Sequence, residues 1–382
     1  MDSLYDVIVV GAGAAGSAAA YHAARAGYKT LLLEQFEIDH RRGSSHGASR
    51  IIRYAYDHPI YIALAKAAYL AWRVLEEEAG ETLMAHTGGV DFSRRGEPMF
   101  EGMLRSLKET GIPHEILNPD EAMRRFPQFR LDDDMLMLYQ DDAAVLRASR
   151  GVLAQVRLAK QHGATVLDNT PVLSVAVAGE TVTVETAQGR FQGAKLILTV
   201  GAWTRKMVNM LGMDLPLTPV KCQENYFEAD VPADYEAGRF PVFIAHFPEE
   251  YGFMPYGLPS IDGSGVKVAL HGGPPYDPEQ PERQTDTQVT ETVRAFMQKY
   301  LPGVNGRLIS ARVCLYTMTP DEHFVIDFHP EHANVVIASC CSGHGFKFSP
   351  VLGKILADLA LTGQTEHDIS LFRASRFALQ SK

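Results

Sequence analysis

The sequence predicts an α/β protein of two units: a doubly wound unit that opens on a βαβ element, and a mixed, β-rich unit inserted into it. Three observations carry this. A β-branched apolar run at Tyr5–Val10 breaks at Gly11 into an Ala-rich helical stretch, 14–26, and a second apolar run follows at Thr30–Leu33. Elements of the same buried kind return late in the chain, at 195–200 and 334–338, and a last helix follows at 350–361. Between them lie alternating strand-like runs punctuated by Gly and Pro.

In order, Gly27 is placed to end the first helix, and residues 35–50 are irregular, polar and rich in Gly, Ser and His. A helix is expected over 59–78, with Asp57 as its cap and Pro59 in its first turn. Strand-like runs at 89–92 and 135–139 flank a helical stretch at 97–110, and another helix is expected at 147–163. Alternation takes over at 172–177, 181–185 and 195–200, the last ending at Gly201. The region 216–320 holds short strands, Gly/Pro loops and a helix at 290–300.

Length and charge exclude several classes. With 382 residues, 46% of them hydrophobic, the chain buries more than one domain-sized core. The net charge of −10, with acids and bases interspersed, disfavours nucleic acid and anionic membranes as partners. No apolar stretch approaches the roughly 20 residues of a membrane span, and Asp2 stands where a signal peptide needs basic residues. Four cysteines, two of them adjacent (Cys340 and Cys341), make no disulfide framework, so a reducing cytoplasm is expected. Gln380-Ser381-Lys382 lacks the closing Leu of a peroxisomal signal and reads as a frayed end.

Gly11-Ala12-Gly13-Ala14-Ala15-Gly16 satisfies the dinucleotide pattern in its required context, after a strand and opening a helix. The first glycine allows the turn, the second lets the backbone approach a pyrophosphate, and the third lets helix and strand pack closely. The helix N-terminus offers N–H groups and a positive dipole end to phosphate. Glu34, 18 residues past Gly16, is placed to accept from ribose hydroxyls. A carboxylate there opposes a 2′-phosphate but does not separate FAD from NAD.

Four further segments bear on that choice. They are the run from His40 through Ser44, His46 and Arg50 to Arg53; Val313-Cys314-Leu315-Tyr316-Thr317 leading to Asp327; Ser342-Gly343-His344-Gly345-Phe346-Lys347-Phe348; and Glu366-His367-Asp368-Ile369-Ser370. Together they resemble the monomeric sarcosine oxidase family, which includes N-methyltryptophan and pipecolate oxidases, and the similarity runs nearly end to end.

The resemblance implies a glutathione-reductase-like FAD-binding Rossmann domain (1–83, 147–215 and 322–382) and a mixed β-sheet substrate domain (84–146 and 216–321). It implies FAD joined covalently to Cys314 by an 8α-S-cysteinyl bond; from the residues alone Cys314 is one of four candidates. Cofactor contacts are expected from Gly11, Gly13, Gly16, Glu34, Ser44, His46, Arg50, Val172, Gly201, Cys314, Gly343, His344, Gly345 and Lys347. Arg53 and Lys347 match a substrate carboxylate clamp, the guanidinium supplying a two-pronged donor and the ammonium a point charge. Lys267, in Gly265-Val266-Lys267-Val268-Ala269, either faces solvent or points at the flavin; the resemblance implies an oxygen-activating cation. His271 faces the substrate or is structural, and Tyr256 and Tyr316 are expected as aromatic walls. No metal is implied.

The expected activity is oxidation of the C–N bond of a small secondary-amine amino acid, sarcosine or a related N-methyl amino acid, with O2. The imine product hydrolyses to aldehyde and amine, and H2O2 is released. The alternative on the same fold is a cyclic amino acid such as pipecolate or proline, or a larger N-substituted one. A flavin-binding sensor without turnover is opposed by Arg53, Lys267 and Lys347. The departures from the family border the pocket: Cys340-Cys341, Ser45, Ala48 and Met254-Pro255. A small Cys341 leaves room for a larger substrate. Partners are limited to amine and O2, with a monomer expected.

Overall fold

The computed structural model describes residues 4–280, 283–304 and 306–380. Asp2, Ser381 and Lys382, on which two expectations about the chain ends rest, lie outside them. No helix among the described residues is long and apolar enough to cross a membrane.

The first sheet has eight strands. Tyr5–Val10 is central, paired in parallel with Thr30–Leu33 on one side and Gly189–Leu198 on the other. Thr165–Leu167 extends it beyond Thr30–Leu33 and Val335–Ser339 pairs in parallel with Gly189–Leu198. Strands buried on both faces are apolar throughout, as in Val7–Val10 and Leu31–Leu33. Helices Ala14–Arg25, Ala148–Gln161 and Ser349–Thr362 supply the residues that cover it. At the first turn Gly11 has φ +98°, and a Cβ there would sit 2.6 Å from the Thr199 carbonyl oxygen. A Cβ on Gly16 would meet the Gly11 carbonyl oxygen at 1.8 Å. Any side chain at either position pushes helix and strand apart.

The second sheet also has eight strands, in the order Leu308–Met318, Thr218–Phe227, Val266–Leu270, Pro255–Leu258, Val242–Ala245, Gly89–Arg94, Met135–Gln140, Glu115–Leu117. Its register sorts side chains by face, because directly paired residues point the same way. Phe227, Val266, Val268, Phe243 and Phe92 pack on one side against Phe296, Met297 and Tyr300 of the Thr287–Tyr300 helix. The other side carries a row read off the pairing: Glu224 opposite Ala269, Ala269 opposite Tyr256, Tyr256 opposite Ile244, Ile244 opposite Asp91. Lys267, Cys314, Tyr316 and His246 share that face by alternation. A three-stranded sheet has the order Arg50–Ile52, Ala144–Leu146, Met84–His86; its Ile52, Ala144 and Leu146 belong to the core of the first sheet, and Val145 packs with Val242 and Leu258 of the second.

Several expectations are corrected. The Pro59–Ala79 helix is capped by His58, whose Nδ1 accepts from the Ile60 N–H at 3.2 Å, and not by Asp57, which stands one residue too early. The helix expected at 290 starts at Thr287, because Asp286 accepts from the Gln288 N–H at 2.8 Å and sets the cap. The tail of the irregular 35–50 segment enters the strand Arg50–Ile52.

Candidate active site

A cavity of about 700 Å³ runs from the glycine turn to the functional face of the second sheet. At its first end lie Gly11, Gly13, Glu34, Val172 and Gly201. Glu34 holds the turn itself: one carboxylate oxygen accepts from the Ala12 N–H at 2.8 Å and the other from the Phe36 N–H at 3.1 Å. The Ala14 N–H at the helix start is met by Ser45 Oγ at 3.0 Å. Gly16 lies beneath the lining, where its packing role puts it.

Midway, the segment after Ser44 wraps Arg50. Its guanidinium donates to the Ser44 carbonyl at 2.9 Å, the His46 carbonyl at 2.8 Å and the Ser49 carbonyl at 2.8 Å. Those bonds explain why an irregular stretch holds one shape: its carbonyls converge on a single cation. The same guanidinium lies 3.2 Å from Glu224 Oε1. Lys267, 1% exposed, donates to that oxygen at 2.6 Å and to the Ser49 carbonyl at 3.2 Å. Tyr226 donates to the other Glu224 oxygen at 3.2 Å. Burial raises a carboxyl pKa, but here Lys267 and Arg50 prevail and hold Glu224 at about 2. Burial pulls Lys267 below its ordinary value against the opposing pull of Glu224. His46 is lowered to about 4 by burial and by Arg50.

The far end holds the second cationic pair. Lys347, 7% exposed, donates to Tyr56 Oη and the His344 carbonyl, both at 2.8 Å. Burial, reinforced by Arg53, pushes its pKa well below the ordinary lysine value. Since Tyr56 accepts from Lys347, its hydroxyl hydrogen is available to His344 Nδ1, 3.1 Å away. His344 Nε2 then donates to the Glu322 carbonyl at 3.1 Å, which fixes a neutral tautomer, and burial keeps the ring uncharged. Arg53 donates to the Ala55 carbonyl and lies 3.4 Å from Asp91 Oδ1, which also pairs with His246 Nε2 at 2.9 Å. Tyr256 and Tyr316 touch through their hydroxyls at 3.5 Å, and burial holds both as phenols. His271 is lowered to about 4 by burial and by Lys347. Gly343, at φ +77°, is required beside it: a Cβ there would strike the His271 ring at 2.5 Å and Tyr316 at 2.8 Å. A Cβ on Gly345 would lie 1.7 Å from the Cys340 carbonyl oxygen.

Cys314 stands apart from the other residues singled out. It is 1% exposed and directly opposite Cys222, and its thiol is pushed to about 12 by burial. It does not itself line the cavity, whereas Ser44, Tyr316 and Cys341 do; Cys341 Sγ lies 3.8 Å from Ser44 Oγ. Every other predicted site residue except Gly16 lines the cavity. Sequence reasoning missed Glu224, Asp91, His246 and Tyr56. Glu224 carries a faint signal, an acid alternating with Cys222 and Tyr226 within an otherwise buried strand.

The cavity's chemistry suits a flavin dinucleotide. It pairs a phosphate-binding turn with a mixed polar and aromatic mid-section. Among the described residues, five of its lining side chains, His46, Trp203, His246, Ser339 and Ser349, each keep one buried polar atom without a partner.

The chain matches the model of the FAD dependent oxidoreductase family over residues 6–359. It is 40% identical to monomeric sarcosine oxidase of Bacillus sp. (strain B-0618), covering 100% of this chain and 98% of that one. It is 34% identical to N-methyl-L-tryptophan oxidase of Salmonella arizonae, covering 98% and 99%. The chain belongs to this family of FAD-dependent oxidases. In fold it superposes on L-proline dehydrogenase from P. horikoshii with a TM-score of 0.87 at 21% identity, over 100% of this chain and 99% of that one. The chain is thus an FAD-dependent amine oxidase acting on a CH–NH bond with O2 as acceptor.

Proposed function

We propose that this oxidase acts on a small secondary-amine amino acid, sarcosine or another N-methyl amino acid, releasing an imine and H2O2. The observation that carries this is the separation of two buried cationic groups along one cavity: Arg53 with Lys347 at its end, and Lys267 with Arg50 midway. One pair suits a fixed carboxylate and the other suits charge that develops during turnover. When bound, FAD supplies the two-electron acceptor for the C–H beside nitrogen and the donor to O2.

The chain's own residues do the rest. Arg53 and Lys347 bind the carboxylate, and Tyr256 and Tyr316 wall the amine. Lys267 offers a protonated, fixed ammonium where O2 accepts its first electron. The Gly11–Gly16 turn, Glu34, Val172 and Gly201 hold the nucleotide; Ser44, His46, Arg50, Gly343, His344 and Gly345 border the ring. Cys314 carries the covalent bond, and Cys341, which lines the cavity and packs against the cluster that holds Cys314, must yield for its thiol to be reached. Residues 1–83, 147–215 and 322–382 form the FAD domain and 84–146 with 216–321 the substrate domain. The enzyme works as a cytoplasmic monomer. Peroxide release over sarcosine, N-methylalanine, pipecolate, proline and N-methyltryptophan tests this reading. Faster turnover of pipecolate or proline than of every N-methyl substrate would replace it with the cyclic alternative.

A further inference from the structure

The clamp residue Arg53 does not end the cavity's polar chemistry. Asp91 sits on the functional face directly opposite Ile244, and His246 follows two residues later on the same side of the strand. Both are 3% exposed, so a buried acid and a buried imidazole occupy a face otherwise walled by Ile244, Met99 and Met103. Such a pair is costly to bury; Asp91 also steadies the clamp residue Arg53, but nothing in the clamp, the cofactor end or the oxygen site uses His246.

Its hydrogen bonding is half finished. The Asp91 carboxylate can only accept, so the 2.9 Å contact assigns the proton to His246 Nε2. His246 Nδ1 is buried and without a partner, and in the neutral imidazole it carries the free lone pair. His246 itself lines the cavity, and its ring lies 6.0 Å from that of Phe100, centroid to centroid. Because Arg53 and His246 share one Asp91 oxygen, a ligand whose carboxylate engages Arg53 lies within reach of this imidazole. A ligand group that satisfies Nδ1 must be a donor, small, and carried on a short apolar stem that suits the methionine and isoleucine walls.

We propose that Asp91 and His246 form a side-chain subsite that reads a hydroxyl on the substrate, so that the preferred amine is an N-methyl amino acid with a hydroxylated side chain. Asp91 is the positioning residue, holding the imidazole tautomer that accepts; His246 is the reader. This rests on the N-methyl amino acid reading above and refines it. A site built to bond a hydroxyl discriminates against the analogue that lacks it, because the buried acceptor is then left unpaired.

The test uses holoenzyme and matched pairs: N-methyl-L-serine against N-methyl-L-alanine, and N-methyl-L-homoserine against N-methyl-L-2-aminobutyrate. At least one hydroxylated member should exceed its partner in kcat/KM by about tenfold or more, chiefly through KM. His246→Phe, which replaces the reader by a ring of similar size, should bring that ratio close to one. If the variant does not fold, the wild-type ratios decide alone. Ratios within about twofold in both pairs, or a preference that survives His246→Phe, overturn the subsite. So does N-methyl-L-aspartate outrunning every hydroxylated substrate, which would mean that the imidazole donates to an anion. Sarcosine has no side chain and separates the two claims. Peroxide from sarcosine with flat ratios refutes the subsite alone, and no peroxide from sarcosine or any N-methyl substrate refutes the underlying reading.

Discussion

Replacing Glu224 by Gln perturbs a buried cluster of one anion and two cations. Glu224 Oε1 is shared by Lys267 at 2.6 Å and Arg50 at 3.2 Å, and the carboxylate is 2% exposed. Gln keeps the shape and one carbonyl acceptor but leaves two buried cations beside each other with no anion between them. Removing one partner of a buried pair costs about 3–5 kcal/mol, so denaturant unfolding should show a loss of that order. The loss should depend on pH with a defined sign. Glu224 is held at about 2, below its ordinary value, so its stabilisation is present above the ordinary carboxyl range and fades as pH falls toward 2. Wild type and variant should therefore converge in acid. The ammonium of Lys267 loses the group that opposes its burial, so it should deprotonate at lower pH in the variant. Flavin reoxidation, followed by absorbance against pH, should slow at alkaline pH and recover on acidification. Adding Lys267→Met to Glu224→Gln should cost less than the two single losses combined. Equal stability and an unmoved pH profile would refute the claim that Glu224 holds Lys267.

Two further outcomes follow from the same geometry. Cys314→Ala should release its flavin on acid precipitation while the unmutated protein keeps its colour; free FAD in the unmutated supernatant would refute the covalent bond. Arg53→Ala should lower kcat/KM for carboxylated amines roughly a hundredfold, on the order of 2–3 kcal/mol, and affect amines without a carboxylate far less. Equal losses for both would show that the clamp lies elsewhere.

What could be read beforehand was whatever local sequence encodes. The Gly11–Gly16 turn, the Tyr5–Val10 strand and Glu34 are fixed by neighbours in the chain, and they lie where the motif puts them. The places of Arg53, Lys267 and Lys347 on the cavity were legible only through motif segments, because their own surroundings in sequence are apolar and uninformative. Lys267 shows the limit: alternation left it free to face solvent, and only pairing with Thr218–Phe227 brings it to Glu224. Asp91 and His246 were illegible for the same reason, being 155 residues apart and joined by a parallel pairing of Gly89–Arg94 with Val242–Ala245. The cap at His58 was missed because an imidazole nitrogen took a place where a carboxylate one residue earlier was expected.

The proposed role of Lys267 toward O2 is tested most directly by Lys267→Met in stopped flow. Methionine keeps length and apolar stem, so the buried packing should survive while the charge is removed. A preorganised charge of this kind is worth about 3–4 kcal/mol. Reoxidation of substrate-reduced enzyme by O2 should therefore slow by roughly two to three orders of magnitude, with anaerobic reduction by substrate changing far less. Collapse of the reductive step with fast reoxidation retained would contradict the assignment and move Lys267 from the oxygen site to substrate binding.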